Sequence, residues 1–300
     1  MASARIYPYT SLTSAISDAK SPLRRYLDQT FPLKSALQAT YRMPRSPLLV
    51  PGGTAHPATL GTAFDIAVRF VLDSAHTPEV ALHAFRTSSR RAKAIRGVIE
   101  VARAASNCRA GVASEYLLRA AWALALTTGI YRGDPWRSSP LQVLGWRKFT
   151  VNNLLGLAPS NALMQMQQMH AIARTSLYPR LPNPAKQLVI GPTFAASRLC
   201  SADADFIIDG HLIDLKTRLG ARNSLTGIRS DSLPGKDINQ LLGYTLFDRS
   251  NRYKIKRVGV YSARYGYFVS WPLGEFLEEL AGRKVNVATE RAAVWKLLGG

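Results

Sequence analysis

Four carboxylates and one lysine interrupt an otherwise apolar stretch, ADADFIIDGHLIDLKT, at residues 202–217. The Asp209-Gly210 pair is typical of a type I′ hairpin turn, because both central residues of that turn take positive φ. Counting outward from the turn places Asp205 opposite Asp214. Opposed side chains on antiparallel strands lie about 5 Å apart, where like charges repel. A divalent cation bound by carboxylate oxygens would relieve that repulsion, so the pair predicts a metal site.

The same register sorts the side chains of the hairpin between two faces. One face is apolar and carries Phe206, Ile208, Ile213 and Leu215. The other face carries the charges at one end and two apolar residues near the turn: Asp203, Asp205, Asp214, Lys216, Ile207 and Leu212. An alternative needs no metal, because Asp203 lies opposite Lys216 in this register and the two can form a cross-strand ion pair. In that alternative the hairpin is a solvated edge of a sheet.

Strand and helix patterns alternate in the part of the chain that contains the hairpin. The predicted elements are a strand in 187–194, the hairpin, a Gly-, Ser- and Arg-rich loop over 218–236, a helix over 237–249, one or two strands in 257–273, and a closing helix over 275–284. This order predicts an α/β (α+β) fold with a mixed β-sheet core.

The sequence before this sheet is helical in pattern. Apolar residues recur at helical spacing in four stretches: 60–75, 78–106, 114–131 and 161–178. Ser114 is the expected N-cap of the third stretch. We therefore expect four parts: an irregular N-terminal arm over 1–59, a helical region over 60–181, the sheet core over 182–284, and a C-terminal tail over 285–300.

The charge balance indicates a polyanionic partner. The chain has 300 residues, 39 Lys and Arg against 19 Asp and Glu, and a formal net charge of +20. Such an excess favours nucleic acid, with DNA the expected partner, although a membrane surface is the alternative. Two sets of arginines are candidate phosphate contacts: Arg218, Arg222 and Arg229 after the hairpin, and Arg90 and Arg91 within 86–96. The second set is equally typical of a solvated helix face.

Several other kinds of site are not indicated. Cys108 and Cys200 have no metal-ligand spacing, and none of the five histidines belongs to an HExxH motif. Neither a phosphate-binding glycine loop nor a nucleophile-elbow motif is present. The N-terminus lacks an apolar signal core, and the longest apolar run, 120–131, is too short to span a bilayer. We expect a soluble, cytoplasmic protein.

A carboxylate on one strand followed by Asp-x-Lys on the next resembles the PD-(D/E)XK nuclease superfamily. The matching residues are Asp205 and Asp214-Leu215-Lys216, and Gln240-x-x-x-Tyr244 resembles the further motif of its RecB-like branch. The resemblance covers roughly residues 187–271. It implies a restriction-endonuclease-like sheet core and a metal-dependent deoxyribonuclease.

The resemblance also implies a role for each of these residues. Asp205, Asp214 and the Leu215 carbonyl would hold Mg²⁺ or Mn²⁺. Lys216 would orient or help deprotonate the attacking water, or stabilise charge in the transition state. Gln240 and Tyr244 lie one helical turn apart and would brace Lys216 or hold a substrate phosphate.

RecB-like nucleases also carry a histidine on an early helix after a glycine-containing lead-in. LGTAFD at 60–65 is similar to that lead-in, with Asp65 in place of the histidine, and a carboxylate suits Mg²⁺. We expect Asp65 to be a third acidic ligand, with the helices that follow inserted over the site. Two alternatives stay open: Asp65 is an ordinary first-turn carboxylate, or Glu115 is the third ligand.

Two functions other than catalysis fit the same residues. A non-catalytic nucleic-acid-binding protein can reuse this fold, and a subunit of a larger complex can supply a basic surface. The complete set of Asp205, Asp214 and Lys216 favours the enzyme, because a binding protein does not need opposed carboxylates.

Overall fold

The structure, a computed structural model, describes residues 7–42, 47–106, 114–145 and 147–300. Within these ranges the N-terminal half is helical, and the C-terminal half contains a mixed five-stranded sheet with helices. The helices are α1 (Leu12–Ser17), α2 (Pro22–Thr30), α3 (Lys34–Arg42), α4 (Pro57–Leu72), α5 (Glu79–His83), α6 (Ser89–Ser106), α7 (Glu115–Arg132), α8 (Val151–Leu155), α9 (Ser160–Ser176), α10 (Gly235–Phe247), α11 (Leu273–Ala281) and α12 (Val287–Leu297). The strands are β1 (Leu188–Ile190), β2 (Phe206–Ile208), β3 (His211–Lys216), β4 (Ala221–Arg222), β5 (Arg229–Ser230), β6 (Arg257–Ser262) and β7 (Tyr267–Pro272).

The main sheet has the order β1-β2-β3-β6-β7. Only β3 and β6 are parallel, and α10 lies in the crossover that parallel neighbours require. Strands β4 and β5 form a separate hairpin between β3 and α10. The prediction of a mixed sheet is confirmed.

The β2–β3 hairpin has the predicted turn and register. Asp209 and Gly210 have φ of 49° and 79°, as a type I′ turn requires. The paired residues are Phe206 with Ile213, Ile207 with Leu212, and Ile208 with His211, whereas the predicted pairing of Asp205 with Asp214 is not part of this ladder.

Both faces of the hairpin are buried, so the alternative of a solvated sheet edge is wrong. Phe206, Ile208 and Ile213 pack into one core with residues of α4, α6, α7 and α9. Ile207 and Leu212 pack into a second core with residues of α1, α2, α10 and α11. Strand β3 is therefore the central strand of the sheet, between two layers of helices.

Both ends of the chain are more regular than the sequence analysis predicted. The described residues of the N-terminal arm form α1, α2 and α3, which contribute Leu12, Leu23 and Leu37 to the second core. The expected C-terminal tail contains α12, with Val294 buried and Asn286 capping its first turn. Because helices of this length are marginal on their own, tertiary packing stabilises them.

The boundaries of the central helices follow local capping. The Ser114 side chain accepts the Leu117 N–H at 3.3 Å, which confirms the predicted N-cap of α7, and the helix ends at Gly133 with φ 106°. The 78–106 stretch divides into α5 and α6. Helix α10 begins at Gly235, so Asp237 lies in its first turn instead of capping it.

Two findings concern the expected compartment and the cysteines. Among the residues that the structure describes, no helix combines the length and apolar character needed to cross a membrane. Cys200 is buried and does not form a disulfide, and Cys108 lies outside the described residues.

Candidate active site

The residues predicted to act on a metal or a substrate line one cavity of about 720 Å³. The cavity lies where α4, α10 and the β2–β3 hairpin meet. Its lining includes Asp65, Asp205, Asp214, Leu215, Lys216, Gln240 and Tyr244. The fold thus brings an early helix, two strands and a late helix to one place.

Two sets of contacts shape the cavity: the close approach of α4 to the end of β3, and the hydrogen bonds that fix Asp205. Gly61 on α4 faces the end of β3, and a Cβ atom on Gly61 would lie 3.0 Å from Thr217 Oγ1. Asp205 lies just before β2, where its carbonyl accepts the Gly191 N–H at 2.9 Å. Its Oδ2 atom accepts the Leu215 N–H at 2.5 Å, so the carboxylate is held against β3.

A continuous chain of polar contacts connects β3 to α10. Lys216 Nζ lies 2.6 Å from Asp214 Oδ2 and donates to Gln240 Oε1 at 2.8 Å. Gln240 Nε2 donates to Tyr244 Oη at 2.7 Å, and the Tyr244 ring stacks on Phe194. Of the two roles expected for Gln240, the structure shows contact with Lys216.

Asp203 does not pair with Lys216, so the predicted cross-strand ion pair is wrong. The β2–β3 ladder ends at Phe206, and Asp203 forms an isolated bridge with Thr193 instead. Its Oδ2 atom accepts a hydrogen bond from Arg132 at 3.3 Å. The segment before β2 therefore pairs with the chain after β1, which a register counted from the turn does not anticipate.

The two central carboxylates are poorly solvated. Burial and, to a smaller extent, nearby Asp65 raise the pKa of Asp205 to about 7, against the opposing effect of Arg69. Burial likewise raises the pKa of Asp214 to about 7, although Lys216 opposes this shift. Burial disfavours the charged form of Lys216, but Asp214 and Asp237 outweigh burial and raise its pKa. The site thus holds a charged lysine beside two carboxyl groups that burial shields from solvent.

Arg69 is a site residue that the sequence analysis missed. Its Nε donates to Asp65 Oδ1 at 2.8 Å, and its Nη2 lies 3.8 Å from Asp205 Oδ1. Its position four residues after Asp65 on α4 was the available signal, because residues at that spacing share a helix face.

The third-ligand prediction has a mixed outcome. Asp65 lines the cavity, but its carboxylate is held by Arg69. Glu115 lies at the first residue of α7, pairs with Arg119, and is absent from the cavity lining. Arg132 is the last residue of α7 and lines the cavity. Glu115 is the first residue of this helix, so the two lie about 25 Å apart at a rise of 1.5 Å per residue. Glu115 is therefore wrong as a third ligand, and coordination by Asp65 stays a prediction.

The donor set suits a hard divalent cation. Asp205 and Asp214 offer carboxylate oxygens, and the Leu215 backbone lies beside them. Mg²⁺ is commonly held by one or two carboxylates, with waters and substrate phosphates completing its shell. Within the described part of the chain, no three His, Cys, Asp or Glu side chains form a group that could hold a metal. Asp205 and Asp214 fit a metal that takes its remaining ligands from water or phosphate.

The arginines predicted to bind phosphate have different surroundings. Arg218 pairs with Asp237 and donates to the Ser232 carbonyl at 2.6 Å, so internal contacts occupy it. Arg91 lies over the rings of Phe85, Trp136 and Phe149.

Arg222, Arg229 and Arg90 also make backbone contacts. Arg222 and Arg229 pair across the β4–β5 hairpin and line a separate open cavity with Gly52. Arg90 is exposed and donates to the Arg147 carbonyl. None of the five predicted phosphate-binding arginines lines the cavity of the carboxylates.

Comparisons of the chain with protein-family models, curated proteins and solved structures find no match.

Proposed function

We propose that the protein is a metal-dependent nuclease with a restriction-endonuclease-like core, which hydrolyses phosphodiester bonds in DNA. One observation carries the proposal: Asp205, Asp214, Lys216, Gln240 and Tyr244 line a single cavity on a mixed sheet. These are the same residues that the resemblance to the PD-(D/E)XK superfamily identifies as a set.

Asp205, Asp214 and the Leu215 carbonyl are the proposed ligands for Mg²⁺ or Mn²⁺. When bound, the metal supplies Lewis-acid stabilisation of phosphate charge and lowers the pKa of a bound water. A bound metal would favour the charged forms of both carboxylates, which burial disfavours.

Lys216 is the proposed catalytic cation. It carries a positive charge held in place by Asp214 and Gln240, at 2.6 Å and 2.8 Å. An ammonium group fixed in this way orients an attacking water and stabilises negative charge on the phosphate without reorganising during the reaction. Gln240 and Tyr244 position this ammonium through the hydrogen bond between them.

A second candidate is a non-catalytic nucleic-acid-binding protein or complex subunit with the same fold. It is favoured by the cations already beside the carboxylates, Arg69 at Asp205 and Lys216 at Asp214. In such a protein these ion pairs are structural, and no metal is required.

A cleavage assay separates the two candidates. Purified protein is incubated with linear and circular DNA in Mg²⁺, Mn²⁺ or EDTA. The nuclease proposal predicts cleavage in either metal and none in EDTA. DNA binding without metal-dependent cleavage under all conditions would establish the second candidate.

A further inference from the structure

A second cavity of about 730 Å³ adjoins the one that contains the carboxylates. The two cavities share seven lining residues: Thr62, Asp65, Arg69, Arg132, Ser201, Ala202 and Asp203. They therefore form one continuous cleft between the helical half and the strand lead-in. The second cavity adds exposed Arg198 to its lining and is the less acidic part of the cleft.

Two ion pairs cross this cleft at the boundary between its cavities. Arg69 on α4 reaches Asp205 at 3.8 Å, and Arg132 at the end of α7 reaches Asp203 at 3.3 Å. Both arginines come from the helical half, and both carboxylates come from the segment before β2. Two arginine–carboxylate contacts thus span the cleft, and an anionic ligand would compete with the carboxylates for the arginines.

The contacts of Arg69 differ in strength. Its 2.8 Å hydrogen bond to Asp65 is short and well formed, whereas 3.8 Å to Asp205 exceeds hydrogen-bond length. Gly191 also makes room for the guanidinium, because a Cβ atom there would lie 2.8 Å from Arg69 Nη1. Arg69 is therefore anchored by Asp65 and only weakly engaged with Asp205.

The ion pair between Arg132 and Asp203 is also readily displaced by another anion. The side chains of Arg132 and Asp203 are 53% and 46% exposed, and such surface pairs contribute little to stability. A phosphodiester carries a full negative charge and accepts two parallel hydrogen bonds from a guanidinium. If a phosphodiester replaced either carboxylate, the arginine would still have a negatively charged partner.

We propose that Arg69 and Arg132 are the phosphate-binding site of this cleft, and that a nucleic-acid strand displaces Asp205 and Asp203 from them. This inference rests on the proposed function, because it assigns the freed Asp205 to the metal. Asp65 then acts as the positioning residue that keeps Arg69 in place. Strand and metal therefore bind cooperatively, and each raises the affinity of the protein for the other by the same factor.

The test measures Ca²⁺ binding by calorimetry, alone and with a saturating phosphorothioate DNA oligonucleotide, after subtracting Ca²⁺ binding to the oligonucleotide. The wild type should bind Ca²⁺ roughly tenfold more tightly with the oligonucleotide, within the usual range of coupling. Arg69→Gln should bind Ca²⁺ more tightly than the wild type without DNA. The ratio of its Ca²⁺ affinities with and without the oligonucleotide should fall towards one. Arg132→Gln should reduce the ratio in part.

A matched control is Arg257→Gln, which removes an exposed arginine bonded to Ser270 outside both cavities. It should keep the wild-type ratio. An unchanged ratio in Arg69→Gln, or a wild-type ratio of one, would overturn the proposal. Asp65→Asn should lose the coupling, because Arg69 then lacks its anchor, whereas a wild-type ratio in this variant would overturn the anchoring role.

Failure of the proposed function gives a different result. If Asp205→Asn leaves Ca²⁺ affinity unchanged and the wild type cleaves no DNA, the metal site itself is wrong. If Asp205→Asn abolishes Ca²⁺ binding and the wild type cleaves DNA but shows no coupling, only the arginine exchange is wrong.

Discussion

At the residue scale, Asp205 makes the stability of the metal-free protein depend on pH. Its pKa is about 7 in the folded chain because of burial, against about 3.9 for an unfolded aspartate. The folded state therefore retains a proton between these values that the unfolded state releases, so the free energy of unfolding falls as pH rises from about 4 to 7.

Asp205→Asn should remove this loss of stability. We expect its melting temperature without metal to exceed that of the wild type at pH 8 and to match it near pH 4. Added Mg²⁺ should raise the wild-type melting temperature at pH 8 and leave the variant unchanged, since ligand binding to the folded state stabilises it. Identical melting curves at pH 8 would contradict the raised pKa assigned to Asp205.

Gln240 is expected to act through Lys216. Gln240→Leu removes the acceptor at 2.8 Å from Lys216 Nζ while filling a similar volume. The cleavage rate should fall by about 10–100-fold, as is usual when a positioning partner is lost, with little change in KM. Gln240→Glu should restore much of the rate, because it keeps an acceptor for Lys216. A Gln240→Leu variant with the wild-type rate and pH profile would remove this role.

At the element scale, the hairpin turn sets the position of strands β2 and β3. Gly210 has φ 79°, and a Cβ atom there would lie 2.7 Å from the Lys254 carbonyl. Gly210→Ala should therefore destabilise the protein by about 1–3 kcal/mol through strain and steric overlap. Gly274→Ala is the matched control, since an added Cβ meets nothing within 4 Å in α11. Chemical denaturation measures both, and equal stabilities would contradict the assigned turn.

The sequence predicted the β2–β3 hairpin and α7 because local chemistry determines them. Asp209-Gly210 specifies the turn, and Ser114 specifies the start of α7. The same logic failed for α12 and α1, whose apolar residues are stabilised by packing against α10 and not by their own periodicity. The pairing of Asp203 with Arg132 was likewise unpredictable, because it depends on how two distant segments meet.

At the scale of the whole molecule, the grouping of the site residues follows from the crossover topology. Parallel pairing of β3 with β6 requires α10 to return across the sheet, which brings Gln240 to Lys216. The resemblance to the PD-(D/E)XK superfamily implied this contact as one of two roles for Gln240 and Tyr244. The arrangement of Arg69, Asp65 and Asp205 was not predicted, because it depends on the packing of α4 against the strand lead-in.

The net charge of +20 predicts strongly salt-dependent binding to DNA. Neutralising about four phosphates should weaken binding by about 100-fold between 50 and 200 mM salt, because bound counterions are released. Fluorescence anisotropy with a short DNA duplex or single strand measures this slope. A nearly flat response would show that the charge serves another partner.

Charge reversal locates the DNA relative to the site. Arg222 and Arg90 are the suitable pair, because both are exposed, whereas Arg218 is held by Asp237 and Arg91 by aromatic rings. Arg222→Glu should reduce cleavage more than Arg90→Glu, since the β4–β5 hairpin follows β3 directly along the chain. Equal reductions would remove the reason for placing DNA near that hairpin.

The most direct test of the nuclease assignment compares Lys216→Ala with the wild type in Mg²⁺-dependent DNA cleavage, with folding and DNA affinity measured on the same samples. The lysine is fixed between Asp214 and Gln240, so its removal should lower the cleavage rate by about 100-fold or more. DNA affinity should change little, because the basic surface supplies most of it. Cleavage at the wild-type rate by a folded Lys216→Ala variant would contradict the assignment.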